Sequence, residues 1–234
     1  MMRLINATET TTSDNSSCAV KGSLRTRRKG WAGSEQSWLI ATADAVALQR
    51  RLFGSQMMTF VRHPRTLRVG FLNRMQSRRV MGAATLMSDL LKAVQRHTST
   101  YTLSYVDDMG TMSFAEQAMW VHSQDIIFAP HGAQNVNFVW AQQCAAILEI
   151  YPKNYYIPGE YLQLARAVGA IPFAAYEGDH PYEDTQRSAS GGREVQIRAR
   201  AAVFESFDIR AATQALDEML RSRSSCLKND LRSM

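Results

Sequence analysis

The chain has 234 residues, of which 45% are hydrophobic, with a formal net charge of +6 and a pI near 9.4. This length suits one well-packed domain with additional terminal segments and excludes two complete α/β domains. The positive charge suits a partner that carries phosphates, but a nucleotide, a nucleic acid and an anionic membrane surface all meet that condition. Charge therefore leaves the partner open.

Three cysteines, Cys18, Cys144 and Cys226, are widely spaced and form no CxxC pair. The sequence therefore indicates neither a zinc site nor a disulfide framework, and the odd number leaves at least one free thiol in an isolated chain. No run of about 18 apolar residues is present, and the first residues lack the basic-then-apolar order of a signal peptide. We expect neither an anchor nor a secretory signal in this polypeptide.

Residues 1–33 are predicted to form a disordered or peripheral leader. Asn6–Ser17 is almost entirely polar and Lys21–Lys29 is basic, so burial cannot offset the entropic cost of ordering them. Asn6 and Asn15 open two N-glycosylation triplets, which arise easily by chance in such a segment.

Residues 34–66 are interpreted as a helical remnant or linker of an N-terminal domain. Apolar residues recur at helical spacing from Ser34 to Phe53, and Gly54 is placed to end the helix. This helix is expected to pack against another part of the fold.

Beyond residue 66, short apolar runs alternate with amphipathic segments. The runs predict five strands: Leu67–Leu72, Tyr101–Val106, Asp125–Ala129, Ala145–Ile150 and Ile171–Tyr176. The intervening segments predict four helices: Ala84–Arg96, Ser113–Val121, Ala133–Trp140 and Pro158–Val168, the last ended by Gly169. The alternation predicts an α/β domain over residues 67–222 whose parallel sheet is covered on both faces. It contains a polar loop over Glu177–Arg193 and a last helix over Ile209–Arg221, and residues 223–234 form a tail.

Ligands of open parallel sheets bind beyond the carboxyl ends of the strands. The first predicted strand is followed by a loop that carries three arginines, Arg74, Arg78 and Arg79. Planar guanidinium groups suit the oxygens of a diphosphate. A solvated basic turn is the alternative, and composition alone does not decide between the two interpretations.

The third predicted strand is followed by Pro130, His131, Gly132 and Ala133. Gly132 allows close approach of the backbone to a ligand, and Ala133 can open a helix whose dipole favours phosphate. The segment is not GxGxxG, so the dinucleotide pattern is absent. A lone histidine is more often structural than catalytic, but the place of His131 at a strand end favours ligand contact.

Three acidic residues lie in or after predicted strands. Glu149 falls within an apolar run, where a buried carboxylate needs hydrogen bonds, from either a ribose hydroxyl or a neighbouring loop. Asp107 and Asp108 follow the second strand and could suggest a divalent metal, but an acidic turn or a helix cap is the commoner use of such a pair. No metal site is predicted, and the catalytic residues are left unassigned.

The order of these motifs resembles glycosyltransferase family 61, which includes protein O-mannose and EGF-domain N-acetylglucosaminyltransferases and plant xylan arabinosyl- or xylosyltransferases. The resemblance spans about Leu67–Arg221. Three segments resemble named blocks of the family: Arg74 and Arg78 its SRxxxR block, Asp125–Gln134 its strand-HGA block, and Ala146–Pro152, with Glu149, its VVElfP block. The other segments that carry the resemblance are Ser113–Gln117, the tyrosines Tyr155, Tyr156 and Tyr161, and Phe207–Ile209.

The chain departs from the family's pattern at a few positions. Gly82 stands where an asparagine commonly caps the next helix. Asn135 and Asn137 make the segment after HGA more polar than usual, and Gln142–Cys144 replaces a turn that contains proline and glycine.

The resemblance implies the Rossmann-like C-terminal half of a GT-B enzyme, located in the Golgi or endoplasmic reticulum. Such an enzyme transfers a sugar from a UDP-sugar to a glycan, protein or polysaccharide acceptor, with inversion and without a required metal or other cofactor. Arginines and helix N-terminal amides then stabilise the leaving diphosphate. The implied nucleotide-sugar site consists of Arg74, Arg78, His131, Gly132, Ala133, Gln134 and Glu149.

A GT-B enzyme also needs an N-terminal domain that holds the acceptor and usually the general base, yet 66 residues precede Leu67. We therefore expect a fragment, a chain whose acceptor domain comes from a partner chain, or a catalytically silent nucleotide-sugar-binding module. A basic nucleic-acid-binding domain is the remaining alternative. The sequence argues against it because the aromatic-interleaved motif of RNA binders is absent.

Overall fold

The computed structural model describes residues 2–6, 42–58, 66–75, 78–180, 182–184 and 209–232. The six strands are β1 (Met2–Asn6), β2 (Leu67–Leu72), β3 (Tyr101–Val106), β4 (Ile126–Pro130), β5 (Ala146–Tyr151) and β6 (Ile171–Glu177). The helices are α1 (Thr42–Met58), α2 (Ala83–Gln95), α3 (Phe114–Ser123), α4 (Leu162–Ala167) and α5 (Ile209–Arg232). Two 3-10 helices span Met109–Thr111 and Ala133–Trp140.

The strands form one sheet in the order β1-β6-β5-β4-β2-β3. Strands β2 to β6 are parallel, and β1 pairs antiparallel with β6 at one edge. After β2 the chain adds β3 on one side of β2, and then β4 on the other side of β2. This arrangement confirms the predicted Rossmann-like α/β fold and creates a topological switch point between β2 and β4.

Both faces of the sheet are buried, so the central strands are continuous apolar runs. On one face, Ile127 and Ile147 pack with residues of α3, α4 and the second 3-10 helix. On the other face, Phe128 and Leu148 pack with α2 and α5. Successive side chains of a strand point to opposite faces, which explains how adjacent residues join separate cores.

Local signals placed most of the helix ends correctly. Ser113 caps α3 in a capping box, with Ser113 N donating to Glu116 Oε2 at 2.7 Å. Asp108 caps the first 3-10 helix by accepting from Gly110 N at 2.7 Å, which confirms a capping role for this residue. Gly169 follows α4 at a φ of +76°, as a helix-ending glycine should.

Other helices differ from the sequence-based prediction. The segment Ala133–Trp140 is a 3-10 helix, and α4 covers only part of the predicted Pro158–Val168 helix. Gly82 precedes α2 in the left-handed region without a side-chain cap. Helix α1 is broken at Gly54, where φ is 51°. Gly54 interrupts the helix, as predicted, but a second helical segment follows it within α1.

Two terminal segments have secondary structure that was not predicted for them. Met2–Asn6 pairs with β6 from Met2 opposite Glu177 to Asn6 opposite Phe173, so this part of the leader is an ordered edge strand. Asn15 and the remainder of the leader lie outside the described residues. Helix α5 continues to Arg232, so most of the predicted tail is helical.

A disulfide joins Cys144 and Cys226, with their Cα atoms 5.6 Å apart. The spacing of the cysteines in the sequence does not indicate this bond. The two cysteines are 82 residues apart, and only the packing of α5 beside β5 brings them together. Among the described residues, no helix has the length and apolar character needed to cross a bilayer.

Candidate functional site

The switch point brings together the ends of β2 and β4, which are hydrogen-bonded neighbours. The arginine loop leaves β2 at Asn73, and the histidine-glycine segment leaves β4 at His131. In open α/β sheets this crevice is where ligands bind. Two candidate segments that are distant in the chain therefore form one site.

Asn73 fixes the arginine loop from inside. Its side chain is buried and makes a two-way amide pair with Val80, accepting from Val80 N at 2.8 Å and donating to Val80 O at 3.2 Å. It also donates to Tyr105 Oη at 3.1 Å. Asn73 is not among the site residues predicted from the sequence, although an asparagine directly after a strand is a frequent sign of a side-chain-stabilised turn.

Arg74 lies directly against the backbone of Gly132. A Cβ atom added to Gly132 would be 1.5 Å from Arg74 Nη1 and 2.6 Å from Cζ. The φ of Gly132 is 166°, an extended conformation open to any residue, so glycine is required here for space. The predicted close approach at Gly132 is thus made by a guanidinium group of the same chain.

Arg78 is held beside Arg74 in an uncommon backbone conformation, with φ at 58°. Its Cζ lies 5.4 Å from the centre of the Tyr155 ring, in cation–π range. Its Nε is buried and has no hydrogen-bond partner within the described part of the chain. Burial, and after it the charge of Arg78, lowers the pKa of Arg74. The two guanidinium groups therefore share a region of positive potential with an unsatisfied donor.

His131 is almost fully buried between two carboxylates. Its Nδ1 lies 2.8 Å from Glu149 Oε1 and its Nε2 lies 3.3 Å from Glu160 Oε2. Burial disfavours the charged ring, but the Glu149 charge, reinforced by the hydrogen bonds to Glu149 and Glu160, raises the pKa of His131 above 6.5. This arrangement favours an imidazolium that donates from both nitrogens.

Glu149 is fully buried in β5, and two of its three hydrogen-bond partners come from the segment that follows β4. It accepts from His131, from Asn135 Nδ2 at 2.8 Å and from the Tyr151 hydroxyl. The sequence leaves two hydrogen-bond partners open for this carboxylate, a ribose hydroxyl and a neighbouring loop. The structure shows hydrogen bonds from the neighbouring loop. Glu149 acts on the site through His131.

Three tyrosine rings surround His131. The ring centroids of Tyr151, Tyr155 and Tyr161 lie 5.0, 5.1 and 5.3 Å from that of the histidine. Burial, followed by the charge of Glu160, raises the pKa of Tyr161, so its hydroxyl remains protonated near neutral pH. The rings exclude water from the His131–Glu149 pair and strengthen its electrostatic coupling.

The remaining residues of the histidine-glycine segment bind one another and the arginine loop. Gln134 Nε2 donates to Asn73 O at 2.6 Å, whereas Ala133 is exposed at the start of the 3-10 helix. Asn135 donates to Pro130 O at 3.1 Å, and Asn137 donates to Gln117 Oε1 at 2.9 Å. The polar departures from the family pattern are therefore buried hydrogen-bonding residues.

The remaining candidates, Arg79 and Asp107, lie on the loops that follow β2 and β3. Arg79 is exposed and its Nε contacts Met81 Sδ at 3.0 Å. Asp107 accepts from the Tyr105 hydroxyl. Within the described ranges, no group of three or more His, Cys, Asp or Glu residues could hold a metal ion.

The comparisons with known proteins identify the family. A family model described as Glycosyltransferase 61 matches residues 34–148, about half of the chain. The match includes Arg74, Arg78 and the segment from His131 to Gln134, and it ends one residue before Glu149. No curated protein matches the chain. The chain belongs to glycosyltransferase family 61.

Proposed function

We propose that this member of a glycosyltransferase family binds the diphosphate of a UDP-sugar at the switch point between β2 and β4. The observation that carries the proposal is the pair Arg74 and Arg78. Arg74 packs on Gly132, and the buried Nε of Arg78 has no hydrogen-bond partner among the described residues. Two neighbouring guanidinium groups repel each other, and a diphosphate would relieve that repulsion with bidentate hydrogen bonds. Because Gly132 has no Cβ, the Arg74 guanidinium group can occupy this position.

The reaction we infer is an inverting transfer. The acceptor hydroxyl oxygen forms a bond to the anomeric carbon, the bond from that carbon to the phosphate oxygen breaks, and its electron pair leaves with UDP. The hydroxyl proton passes to a general base that remains unassigned. Arg74 and Arg78 would stabilise the charge that develops on the diphosphate, which is the role a metal ion has in other transferases.

The acceptor is proposed to be a glycan, a glycoprotein or a polysaccharide, held by an acceptor domain that includes other parts of the protein or a partner chain. A second candidate is a catalytically silent nucleotide-sugar-binding module. It is favoured by the burial of His131 and Glu149, because each of these titratable groups is committed to a hydrogen bond with the other inside the protein.

The disulfide supports a location in the secretory pathway. Disulfides persist in oxidising compartments and are rare in the cytosol of mesophiles. Cys144 and Cys226 are bonded across 82 residues, so folding in the endoplasmic reticulum and function there or in the Golgi is the proposed route.

The test is calorimetric titration of the purified chain with UDP, with and without manganese, for wild type, Arg74→Ala and Arg79→Ala. Loss of one charged hydrogen-bonding group at the diphosphate should weaken binding about 10- to 100-fold in Arg74→Ala. Arg79 is exposed on the same loop and provides the matched control, with affinity near wild type. Equal weakening in both variants would indicate non-specific charge attraction, and no binding by wild type would defeat the proposal.

A further inference from the structure

The two carboxylates that face His131 differ in burial and in their distance from the ring. Glu149 is fully buried and accepts hydrogen bonds from His131, Asn135 and Tyr151. Glu160 Oε2 lies 3.3 Å from Nε2, and 22% of the Glu160 side chain is exposed. Charge-assisted N–H···O bonds are usually about 2.7–2.9 Å long. Glu160 is therefore the carboxylate that can exchange with a ligand.

The histidine ring needs a proton on each nitrogen because each nitrogen faces a carboxylate, and a neutral imidazole donates from only one. The Nδ1 donor is committed to Glu149 in the protein interior. The Nε2 donor faces Glu160, the partner with the more exposed side chain. An anion that replaces Glu160 would thus meet a preformed cationic donor.

This donor belongs to the same cluster as the two arginines. Gly132 directly follows His131 and touches the Arg74 guanidinium. Arg78 lies over Tyr155, whose ring packs edge-on against His131. Besides these cations, the ionisable groups facing the ring are Glu149, Glu160, Tyr151, Tyr155 and Tyr161.

We propose that Glu160 competes with the donor diphosphate for His131 Nε2. A phosphate oxygen replaces the Glu160 carboxylate when the nucleotide binds, and His131 becomes the third cationic contact of the diphosphate. The exchange changes hydrogen-bond acceptors only, with no covalent step. The inference rests on the proposed diphosphate site and assigns two further residues, His131 and Glu160, to it.

The physical consequence is a lower affinity for charged ligands only. A diphosphate brings more negative charge to Arg74, Arg78 and His131 than one carboxylate does, so it can displace Glu160, but its binding is weakened by that competition. An uncharged nucleoside cannot replace the carboxylate, because burial of an imidazolium with one partner lost is unfavourable. Glu160 therefore lowers the affinity for a diphosphate and leaves the affinity for an uncharged nucleoside unchanged.

The experiment compares wild type with Glu160→Gln, which keeps the shape of the side chain and removes its charge. Removal of one partly exposed competing charge should tighten UDP binding about three- to fivefold and leave uridine binding unchanged. Glu218→Gln on α5 removes the same charge away from the switch point and should alter neither affinity. In ¹⁵N spectra of wild-type histidines, UDP should shift the Nε2 resonance of His131 more than the Nδ1 resonance.

The outcomes separate this inference from the proposed function. If wild type binds UDP and Glu160→Gln binds it equally or more weakly, the competing role of Glu160 is wrong while the diphosphate site stands. Equal gains for UDP and uridine, or an unchanged Nε2 resonance, would also overturn it, because Glu160 would then act through loop structure. If neither protein binds UDP, the diphosphate site itself fails.

Discussion

Gly132 controls the position of Arg74 through the absence of a single methyl group. The guanidinium fills the volume in which a Cβ would lie, and it does so beside His131 at the end of β4. A glycine at this position therefore shapes the electrostatics of the crevice as well as its backbone. His131 likewise depends on residues from other segments, because the carboxylates of Glu149 and Glu160 determine its charge.

Substitution of Gly132 by alanine should reduce ligand affinity more than stability. The clashing atoms belong to the far end of the flexible Arg74 side chain, which can move away and leave the diphosphate position. We expect UDP affinity to fall about 10-fold, within the range for a lost charged hydrogen bond, with the midpoint of thermal unfolding nearly unchanged.

Gly70→Ala is the matched control for that experiment. A Cβ at Gly70 would lie 2.8 Å from Gln124 Cγ and 2.9 Å from Trp120 Cη2. Overpacking of this kind usually destabilises by about 1–3 kcal/mol, so this variant should unfold at lower temperature. If Gly132→Ala instead lost stability and kept its affinity for UDP, the assigned role of Arg74 would be contradicted.

The charge of His131 predicts a pH-dependent contribution to stability. Its pKa in the folded protein is raised above 6.5, so the stabilisation is fully present below pH 6.5 and declines as pH rises through the raised value. His131→Gln should remove it and leave Glu149 with a weaker buried partner. Urea unfolding from acidic to alkaline pH should show a wild-type advantage that shrinks at high pH, and a constant difference would refute the buried imidazolium.

Helix α5 continues beyond its predicted end at Arg221, where it contacts residues that are distant in the sequence. Its last part is rich in serine, arginine and lysine, a composition that does not predict a buried face. Cys226 nevertheless bonds to Cys144, and Arg223 forms an ion pair with Asp125 at the start of β4. These ties hold the helix against the sheet at the end opposite the candidate site.

Reduction of the disulfide should therefore lower stability without abolishing the site. The bonded cysteines are 82 residues apart, and loops of that size correspond to a stabilisation of about 4 kcal/mol in the chain-entropy model. Thermal unfolding with and without dithiothreitol measures the loss, and a Cys144→Ala/Cys226→Ala variant should show no response to the reductant. The denatured, unreduced wild type should contain one thiol that reacts with an alkylating reagent, because the disulfide uses two of the three cysteines. Three reactive thiols would speak against the bond.

At the scale of the whole molecule, the fold followed from local patterns to a large extent. The periods of the apolar residues located all five parallel strands to within about one residue, and their alternation with helices required a covered parallel sheet. Motif order pointed to the family that the match over residues 34–148 confirms. The edge strand β1 escaped prediction because Met2–Asn6 is short and its partner β6 lies at the far end of the domain.

Local sequence was sufficient for element type, for caps such as Ser113 and for the candidate residues at the strand ends, because these depend on residues a few positions apart. Long-range folding set the strand order, the Cys144–Cys226 bond and the contact of Arg74 with Gly132. It also placed a lone histidine between the carboxylates of Glu149 and Glu160. Such features depend on which distant segments become neighbours, and hydrophobic periodicity carries no information about that pairing.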